Sequence, residues 1–290
     1  MKLIPIRYGK LAYPQEIVPR IQEIAGHFDV KQIPTKGSIS LHTEYSYGPR
    51  RFDSPFLKDL NTIKQANKRN IPQLWFNEKW AAEFALFVIR MLEIVEKRLI
   101  IEIHPPFIDY CPSIKDFIQR YRIFEEMLRT EHPDIEILLE NRCGTMYKGG
   151  RFLISNHSEI NDLADEIDKE QLSLRIALDL PQLYSAEGDV PNLSNKQIEE
   201  ILMNLKDSRH FIRSLHIWGK KRNKKGSRIT HQGNLDDYFD QDMEKKKCFL
   251  KCLARLFDDD KERYLVPEVN SNEKDLEAIM NDFFMTFSIP

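Results

Sequence analysis

The sequence predicts an α/β fold, a (β/α)8 barrel formed by a single domain over residues 1–290. Apolar runs such as Ile137-Leu138-Leu139 are typical of strands buried on both faces of a parallel sheet. Such runs alternate with amphipathic segments of helical period along the chain, which favours a parallel sheet. The number of units favours a closed barrel, a fold that routinely reaches this length. The alternative is a doubly wound open sheet, but no Gly-x-Gly-x-x-Gly or phosphate-loop motif supports it.

The predicted strands are short and mostly β-branched or aliphatic. They cover Leu3–Ile6, Ser38–Leu41, Leu99–Ile103, Ile135–Leu139, Leu174–Leu178, Ile212–Leu215 and Tyr264–Val266. Each is followed, directly or after a few residues, by a helical pattern or a turn signal. A polar loop is predicted over Gly219–Arg228, where six of ten residues are basic.

The predicted helices are assigned from spacing and from capping residues. They cover Pro14–Phe28, Asp53–Arg69, Lys79–Lys97, Ile114–Arg129, Ser158–Asp168, Ser194–Lys206, Asp237–Asp258 and Asn270–Phe284. In the first, Ile17, Ile21 and Ile24 are spaced for one helical face. Asp53-Ser-Pro provides a cap followed by an early proline in the second. Ser194 and Gln197 form a capping-box pattern.

The composition excludes several classes of protein. The net charge of −2 is wrong for a uniformly basic nucleic-acid binder, so any attraction to phosphate must be local. The four cysteines lack zinc-ribbon spacing and are expected to be free thiols. No apolar run has the length of a signal peptide core or a membrane span. The sequence therefore predicts a cytoplasmic protein that does not enter a membrane.

A metal-type ligand stands at the end of six predicted strands. These residues are His42, His104, Glu140, Asp179, His216 and Glu268, and His231 follows shortly after the basic loop. Taken singly, each has an ordinary structural explanation, such as a hydrogen-bonded loop histidine. Six ligands at matched positions are harder to explain in that way, because the strand ends of a barrel converge on one mouth. A mixture of imidazole and carboxylate suits zinc or manganese rather than calcium.

These residues also lie in short motifs that follow one another in order. The motifs are His42-Thr-Glu-Tyr45, His104-Pro105, Glu140-Asn141 with Gly144, Asp179-Leu-Pro-Gln182, His216 with Gly226-Ser-Arg228 and His231, and Pro267-Glu268. The ordered set resembles the xylose isomerase-like barrel superfamily. It is most similar to the endonuclease IV branch, the apurinic/apyrimidinic endonucleases of family 2, which act in DNA repair.

The resemblance implies two metal sites that share one ligand. His42, His104 and Glu140 would hold one ion, and Glu140 would bridge to a second held with Asp179, His216 and Glu268. That family's third ion needs a histidine where this chain has Gln182, and an aspartate where it has Ile229 or Thr230. Only His231 remains of that set. We therefore expect two ions per chain, Zn²⁺ or Mn²⁺, rather than three.

The resemblance further implies metal-dependent hydrolysis of a phosphodiester in nucleic acid, with DNA as the expected partner. Glu140 or Glu268 would accept the proton of the attacking water. The basic loop is expected to meet the phosphate backbone. The substrate-binding residues predicted in this way are Tyr45, Gln182, Lys220, Lys221, Arg222 and Arg228.

Two other functions remain open on the sequence. A sugar isomerase or epimerase of the same superfamily would use one metal on Glu140, Asp179, His216 and Glu268, with the two glutamates as an acid–base pair. A barrel that has lost catalysis and serves as a binding protein is the second alternative. Gln182 and the missing loop aspartate favour it, and the complete set of four shared ligands opposes it.

Overall fold

The computed structural model describes residues 1–287, with side chains at all of these except 98 and 99. Within that range eight strands form a closed barrel, which confirms the predicted fold class. The last three residues of the domain predicted over 1–290 lie outside the described part, and the single-domain assignment stays a prediction. None of the described helices is long and apolar enough to cross a membrane.

The strands, in chain order, are β1 (Lys2–Arg7), β2 (Ile21–Gly26), β3 (Ser38–Thr43), β4 (Asn67–Lys68), β5 (Ile71–Pro72), β6 (Lys97–Ile103), β7 (Glu136–Glu140), β8 (Arg175–Asp179), β9 (Ile212–Ile217), β10 (Lys220–Arg222), β11 (Arg228–Thr230) and β12 (Glu262–Pro267). The barrel order is β1-β12-β9-β8-β7-β6-β3-β2. The pairs β4–β5 and β10–β11 are separate antiparallel hairpins.

The α-helices of the described range are α1 (Asn61–Gln65), α2 (Glu78–Leu92), α3 (Ile114–Glu131), α4 (His157–Lys169), α5 (Leu180–Ala186), α6 (Asn195–Met203), α7 (Leu235–Tyr238), α8 (Met243–Leu256) and α9 (Glu273–Thr286). Most of these helices are preceded by an N-cap residue whose side chain accepts a hydrogen bond from a backbone N–H of the first turn. The predicted capping box of Ser194 and Gln197 is present at α6.

The chain divides into two compact units. The first unit comprises Met1–Gln22, Asn156–Asn161 and the chain from Ile176 onward, and the second comprises Glu23–Ser155 and Asp162–Arg175. In the second unit, an aromatic cluster packs α2 against α3: Trp75 lies with its ring centroid 5.4 Å from those of Phe84 and Phe124. In the first unit, Tyr184 and Phe239 both pack on Phe249 of α8. Each unit thus has an apolar core of its own.

Three predicted elements are wrong. The helix over Pro14–Phe28 is instead the strand β2, because Pro19 in its interior lacks an N–H and disfavours helical geometry at the preceding residue. The helix over Asp53–Arg69 is reduced to a 3-10 turn and the short α1, since Asp59 and Arg69 have positive φ. The loop over Gly219–Arg228 contains the paired strands β10 and β11.

Candidate metal centre

Three neighbouring strands of the second unit carry the first predicted ligand set. His42 of β3 lies in register with Glu102 of β6, and Ile103 of β6 lies in register with Leu139 of β7. His104 and Glu140, which follow Ile103 and Leu139, therefore emerge at the same edge as His42. The buried, hydrogen-bonded strands hold the three side chains rigidly at their carboxyl ends.

The three side chains converge on one carboxylate oxygen. Glu140 Oε2 lies 3.1 Å from His42 Nε2 and 3.1 Å from His104 Nε2. The two imidazole rings meet edge to face with centroids 4.6 Å apart. One donor atom from each residue lies within 4.8 Å of the others, so the three could hold a metal ion. Two nitrogens and one oxygen form a donor set that suits Zn²⁺ or Mn²⁺.

His104 faces an oxygen atom at both ring nitrogens. Nδ1 lies 3.2 Å from the backbone oxygen of Glu44, and Nε2 lies 3.1 Å from the Glu140 carboxylate. Burial lowers the pKa of His104 to about 4, although the charge of Glu140 acts in the opposite direction. A neutral imidazole has only one N–H, so its other nitrogen presents a lone pair to an oxygen atom. A cation at Nε2 would satisfy both nitrogens at once.

His42 is shifted the other way. Burial lowers the pKa of its imidazole, but the hydrogen bond to Glu140 and the charges of Glu23, Glu140 and Glu102 outweigh burial and raise it to about 9. A proton on His42 therefore provides the positive charge that Glu140 attracts. Metal binding would replace this proton, as it does wherever imidazole becomes a ligand.

The loop after β3 is built around a buried carboxylate. Glu44 accepts hydrogen bonds from the backbone N–H groups of Phe28, Tyr45 and Ser46 at 3.2, 3.1 and 2.9 Å, and from Arg50 Nε at 2.8 Å. These four bonds fix the Glu44 backbone, whose oxygen faces His104 Nδ1. The carboxylate therefore orients a predicted metal ligand through the chain itself.

The ring of Tyr45 lies among cationic and aromatic side chains of the same unit. The guanidinium carbons of Arg50 and Arg142 lie 5.2 and 5.1 Å from its centroid. His27 lies 4.8 Å away, centroid to centroid, and Tyr47 stacks at 6.0 Å. Tyr47 is 61% exposed, which leaves an aromatic face open next to the cluster.

The second ligand set, apart from Glu140, lies in the first unit. Asp179 of β8 is in register with His216 of β9, and Glu268 follows β12. Glu268 Oε1 lies 2.8 Å from His216 Nδ1, and Oε2 lies 3.2 Å from His231 Nδ1. Burial raises the pKa of Glu268, but the two imidazole hydrogen bonds outweigh it and lower the pKa to about 2. Glu268 is therefore an ionised carboxylate with an imidazole at each oxygen.

Asp179 has two partners of its own. Its Oδ1 accepts a hydrogen bond from the backbone N–H of Gln182 at 2.9 Å, which caps α5. Its Oδ2 accepts a bond from Trp218 Nε1 at 3.0 Å, and the Trp218 ring stacks on His231 at 4.6 Å. The bridging role predicted for Glu140 and the substrate role predicted for Gln182 stay predictions.

The basic hairpin of the first unit is largely charge-compensated. Lys220 Nζ donates to Asp189 Oδ1 at 2.9 Å and to Ser185, and Arg228 lies 3.1 Å from the other oxygen of Asp189. Arg222 makes two hydrogen bonds of 2.9 Å to Asp240. Gly219 lies so close to the backbone of Gly233 that a Cβ at position 219 would be 2.5 Å from its carbonyl group, so only glycine fits there without a shift of the chain. These cations hold the hairpin in place, and their predicted contact with phosphate stays a prediction.

Several residues around His42, His104 and Glu140 are not among the residues predicted from the sequence. His27 lies in the helix predicted over Pro14–Phe28, yet it follows β2 directly, as His104 follows β6. The interior proline at position 19 was the available signal. Glu44 and Arg142 lie inside quoted motifs as unspecified positions, and nothing in their spacing marks them as buried charges.

No family model matches the chain, and no curated protein matches it. Solved structures similar to it include an AP endonuclease of family 2 from Brucella melitensis, with 10% identity, a TM-score of 0.49, and 89% of this chain and 97% of that chain covered. An L-ribulose 3-epimerase gives 8% identity and a TM-score of 0.49, with 92% and 83% covered. A chitinase domain from Pyrococcus furiosus gives 11% and 0.42, with 87% of each chain covered.

Identities this low and TM-scores below 0.5 assign neither a family nor an activity to this chain.

Proposed function

We propose that the protein is a divalent-metal-dependent phosphodiester hydrolase that acts on nucleic acid, with Zn²⁺ or Mn²⁺ on His42, His104 and Glu140. The observation that carries this proposal is the environment of His104, a neutral imidazole with an oxygen at each nitrogen. A ligand-type nitrogen facing a carboxylate across 3.1 Å is the arrangement that a shared cation would stabilise. A bound divalent ion would supply Lewis acidity towards a phosphoryl oxygen.

The protein's own groups would orient the substrate and move the proton. Glu140 or Glu268 would accept the proton of the attacking water, as the resemblance implies. Tyr45 and the exposed Tyr47 form a stacked pair that would bind an unstacked base or the end of a duplex. Arg50 lies over Tyr45 and is held there by Glu44, so the ring is fixed before a substrate arrives.

The resemblance predicts a second ion on Asp179, His216 and Glu268. The contacts of the first unit support this ion less strongly, because each oxygen of Glu268 already has an imidazole partner. The metal content of the purified protein therefore tests the proposal directly, because the proposed activity requires a bound metal. Elemental mass spectrometry on protein purified without chelator should find at least one zinc or manganese ion per chain, and His104→Ala should lack it.

The activity test uses oligonucleotides that carry an abasic site or a nick, with and without added metal. We expect cleavage by the metal-loaded protein and at least a 100-fold loss in His104→Ala, because a metal ligand is removed. Intact oligonucleotides would overturn the hydrolase proposal. Interconversion of ketoses by the same preparation would then establish the isomerase, and metal-free, inactive protein would leave the binding-protein alternative.

A further inference from the structure

We propose that Arg142 is an anion-binding residue that receives a phosphoryl group of the substrate beside the metal centre. The inference rests on the proposed function for the identity of the ligand, and it adds a phosphate contact in the second unit to the one predicted for the basic hairpin. Arg142 follows β7, two residues after Glu140.

The guanidinium of Arg142 is largely buried, and its ion-pair contact with Glu140 is longer than a hydrogen bond. Its side chain is 9% exposed. Among the residues that the structure describes, none accepts a hydrogen bond from it, and Nε has no contact with solvent. A guanidinium has five N–H donors, and a buried donor of a charged group that makes no hydrogen bond, as Nε does here, is costly. A buried cation with unused donors indicates a ligand that brings acceptors.

The position of Arg142 is fixed by contacts that leave these donors available. Its backbone N–H donates to Ile154 at 2.9 Å, and its guanidinium carbon lies 5.1 Å from the Tyr45 ring and 5.9 Å from the Phe152 ring. Aromatic faces attract the cation without accepting hydrogen bonds at the edge of its plane. The group is thus held in place before any anion binds.

The charge of the surroundings selects an anion once metal is present. Arg142 Nη1 lies 3.6 Å from Glu140 Oε1, which is too long for a hydrogen bond but close enough for attraction. Glu140 Oε2 faces the two histidines instead. A divalent cation on these ligands would exceed the charge of Glu140, and Arg142 adds a further positive charge. The metal-loaded cluster therefore favours a dianion or a diester.

A phosphoryl group matches this arrangement better than a carboxylate does. Its oxygens point in several directions, so one can accept from the planar guanidinium while another faces the metal. The hairpin cations are less suited, because Lys220, Arg222 and Arg228 already pair with Asp189 and Asp240.

The test measures binding of inorganic phosphate by calorimetry, on metal-loaded full-length protein. We expect Arg142→Gln to weaken phosphate binding by about 10-fold to 100-fold, the range for a lost charged hydrogen bond, with metal content unchanged. Arg142→Lys keeps the positive charge but lacks the planar set of guanidinium N–H donors, so its phosphate affinity should fall by less than that of Arg142→Gln. The control is Arg122→Gln, which removes an exposed arginine of α3 paired with Glu170 and should bind phosphate like the unmodified protein.

Unchanged phosphate affinity in both Arg142 variants would overturn the inference, whether or not the protein cleaves DNA. Equal affinity for acetate and phosphate would overturn the phosphoryl assignment. Phosphate binding that depends on Arg142 in a protein without nuclease activity would support the anion site and reject the proposed function. Should Arg142→Gln fail to fold by circular dichroism, Arg142→Lys alone decides the outcome.

Discussion

The two histidine–glutamate clusters of the molecule differ in how their hydrogen bonds are satisfied. In the first unit, Glu268 has two imidazole partners, one at each carboxylate oxygen. In the second unit, a single oxygen of Glu140 faces both His42 and His104. The first arrangement needs only ordinary N–H donors. The second leaves a lone pair of His104 against an oxygen atom unless a cation lies between them.

The same contrast extends to the cations of each unit. Lys220 and Arg228 share Asp189, so their charges are compensated within the first unit. Arg142 in the second unit is buried with unused donors. Polar groups that are buried and unsatisfied are concentrated at functional sites, because folding alone does not favour them. We infer that the second unit holds the metal and the anion.

Replacing the glutamate at the centre of each cluster by alanine gives the largest expected difference in metal content. Glu140→Ala should remove the metal, with a loss of affinity beyond the roughly 10–100-fold typical of outer-shell changes. It should also lower the free energy of unfolding by about 3–5 kcal/mol, because His42 and Arg142 both lose the buried carboxylate that faces them. Glu268→Ala should retain the ion of the second unit. Elemental mass spectrometry and urea unfolding measure the two quantities.

Equal metal loss in the two variants would contradict the inference that Glu140, and not Glu268, is needed to hold the ion. Full metal content in Glu140→Ala would remove Glu140 from the ligand set altogether, including its predicted bridging role.

The sequence predicts the barrel and the six ligand positions because both depend on short apolar runs. Ile137-Leu138-Leu139 is recognisable as a buried strand without any tertiary information, and Glu140 follows from it. A helix is predicted in place of β2 because Ile17, Ile21 and Ile24 fit a helical period. Pro19 disfavours that helix, but only the pairing of Ile21 with Ile6 identifies the segment as a barrel strand. Local spacing cannot contain that long-range contact.

The ion-pair partners of the basic residues are harder to predict from the sequence than the strand ends. Arg142 and Lys220 are both basic residues near a strand end, and composition gives no reason to separate them. The structure separates them through their partners: Asp189 lies 31 residues before Lys220 in the chain and compensates its charge. Arg142 has aromatic faces instead. Partners at such distances in sequence are decided by the fold, so spacing and composition alone do not separate a compensated basic residue from an uncompensated one.

A change at Glu44 tests whether the second unit needs its supporting carboxylate. Glu44→Gln places an amide NH₂ among N–H donors, so we expect a loss of about 1–3 kcal/mol in unfolding free energy. Metal affinity should fall by about 10–100-fold, because the backbone oxygen that faces His104 loses its support. Calorimetric zinc titration of the metal-free variant measures the affinity.

Glu83→Gln is the matched control. Glu83 is also a buried carboxylate of the second unit, and it accepts hydrogen bonds from Thr62 and from the backbone N–H of Ile63, remote in sequence from the ligands. The Glu83→Gln variant should lose a similar amount of unfolding free energy and keep the zinc affinity of the unmodified protein. If both variants lose affinity alike, general destabilisation rather than orientation of His104 is responsible.

The smallest expected effects concern the hairpin of the first unit. Lys224 and Lys225 are exposed at its tip, whereas Lys220 is buried against Asp189. Lys220→Met should lower the free energy of unfolding by about 1 kcal/mol and leave the salt dependence of DNA binding unchanged. Replacing Lys224 and Lys225 by Ala should change stability by less than about 0.5 kcal/mol. Because each phosphate contact contributes about 0.9 to the slope of log K against log salt, the slope should fall by up to about 2. A slope that falls in Lys220→Met instead would mean that Asp189 releases this lysine to the nucleic acid, and the first unit could then no longer be regarded as internally compensated.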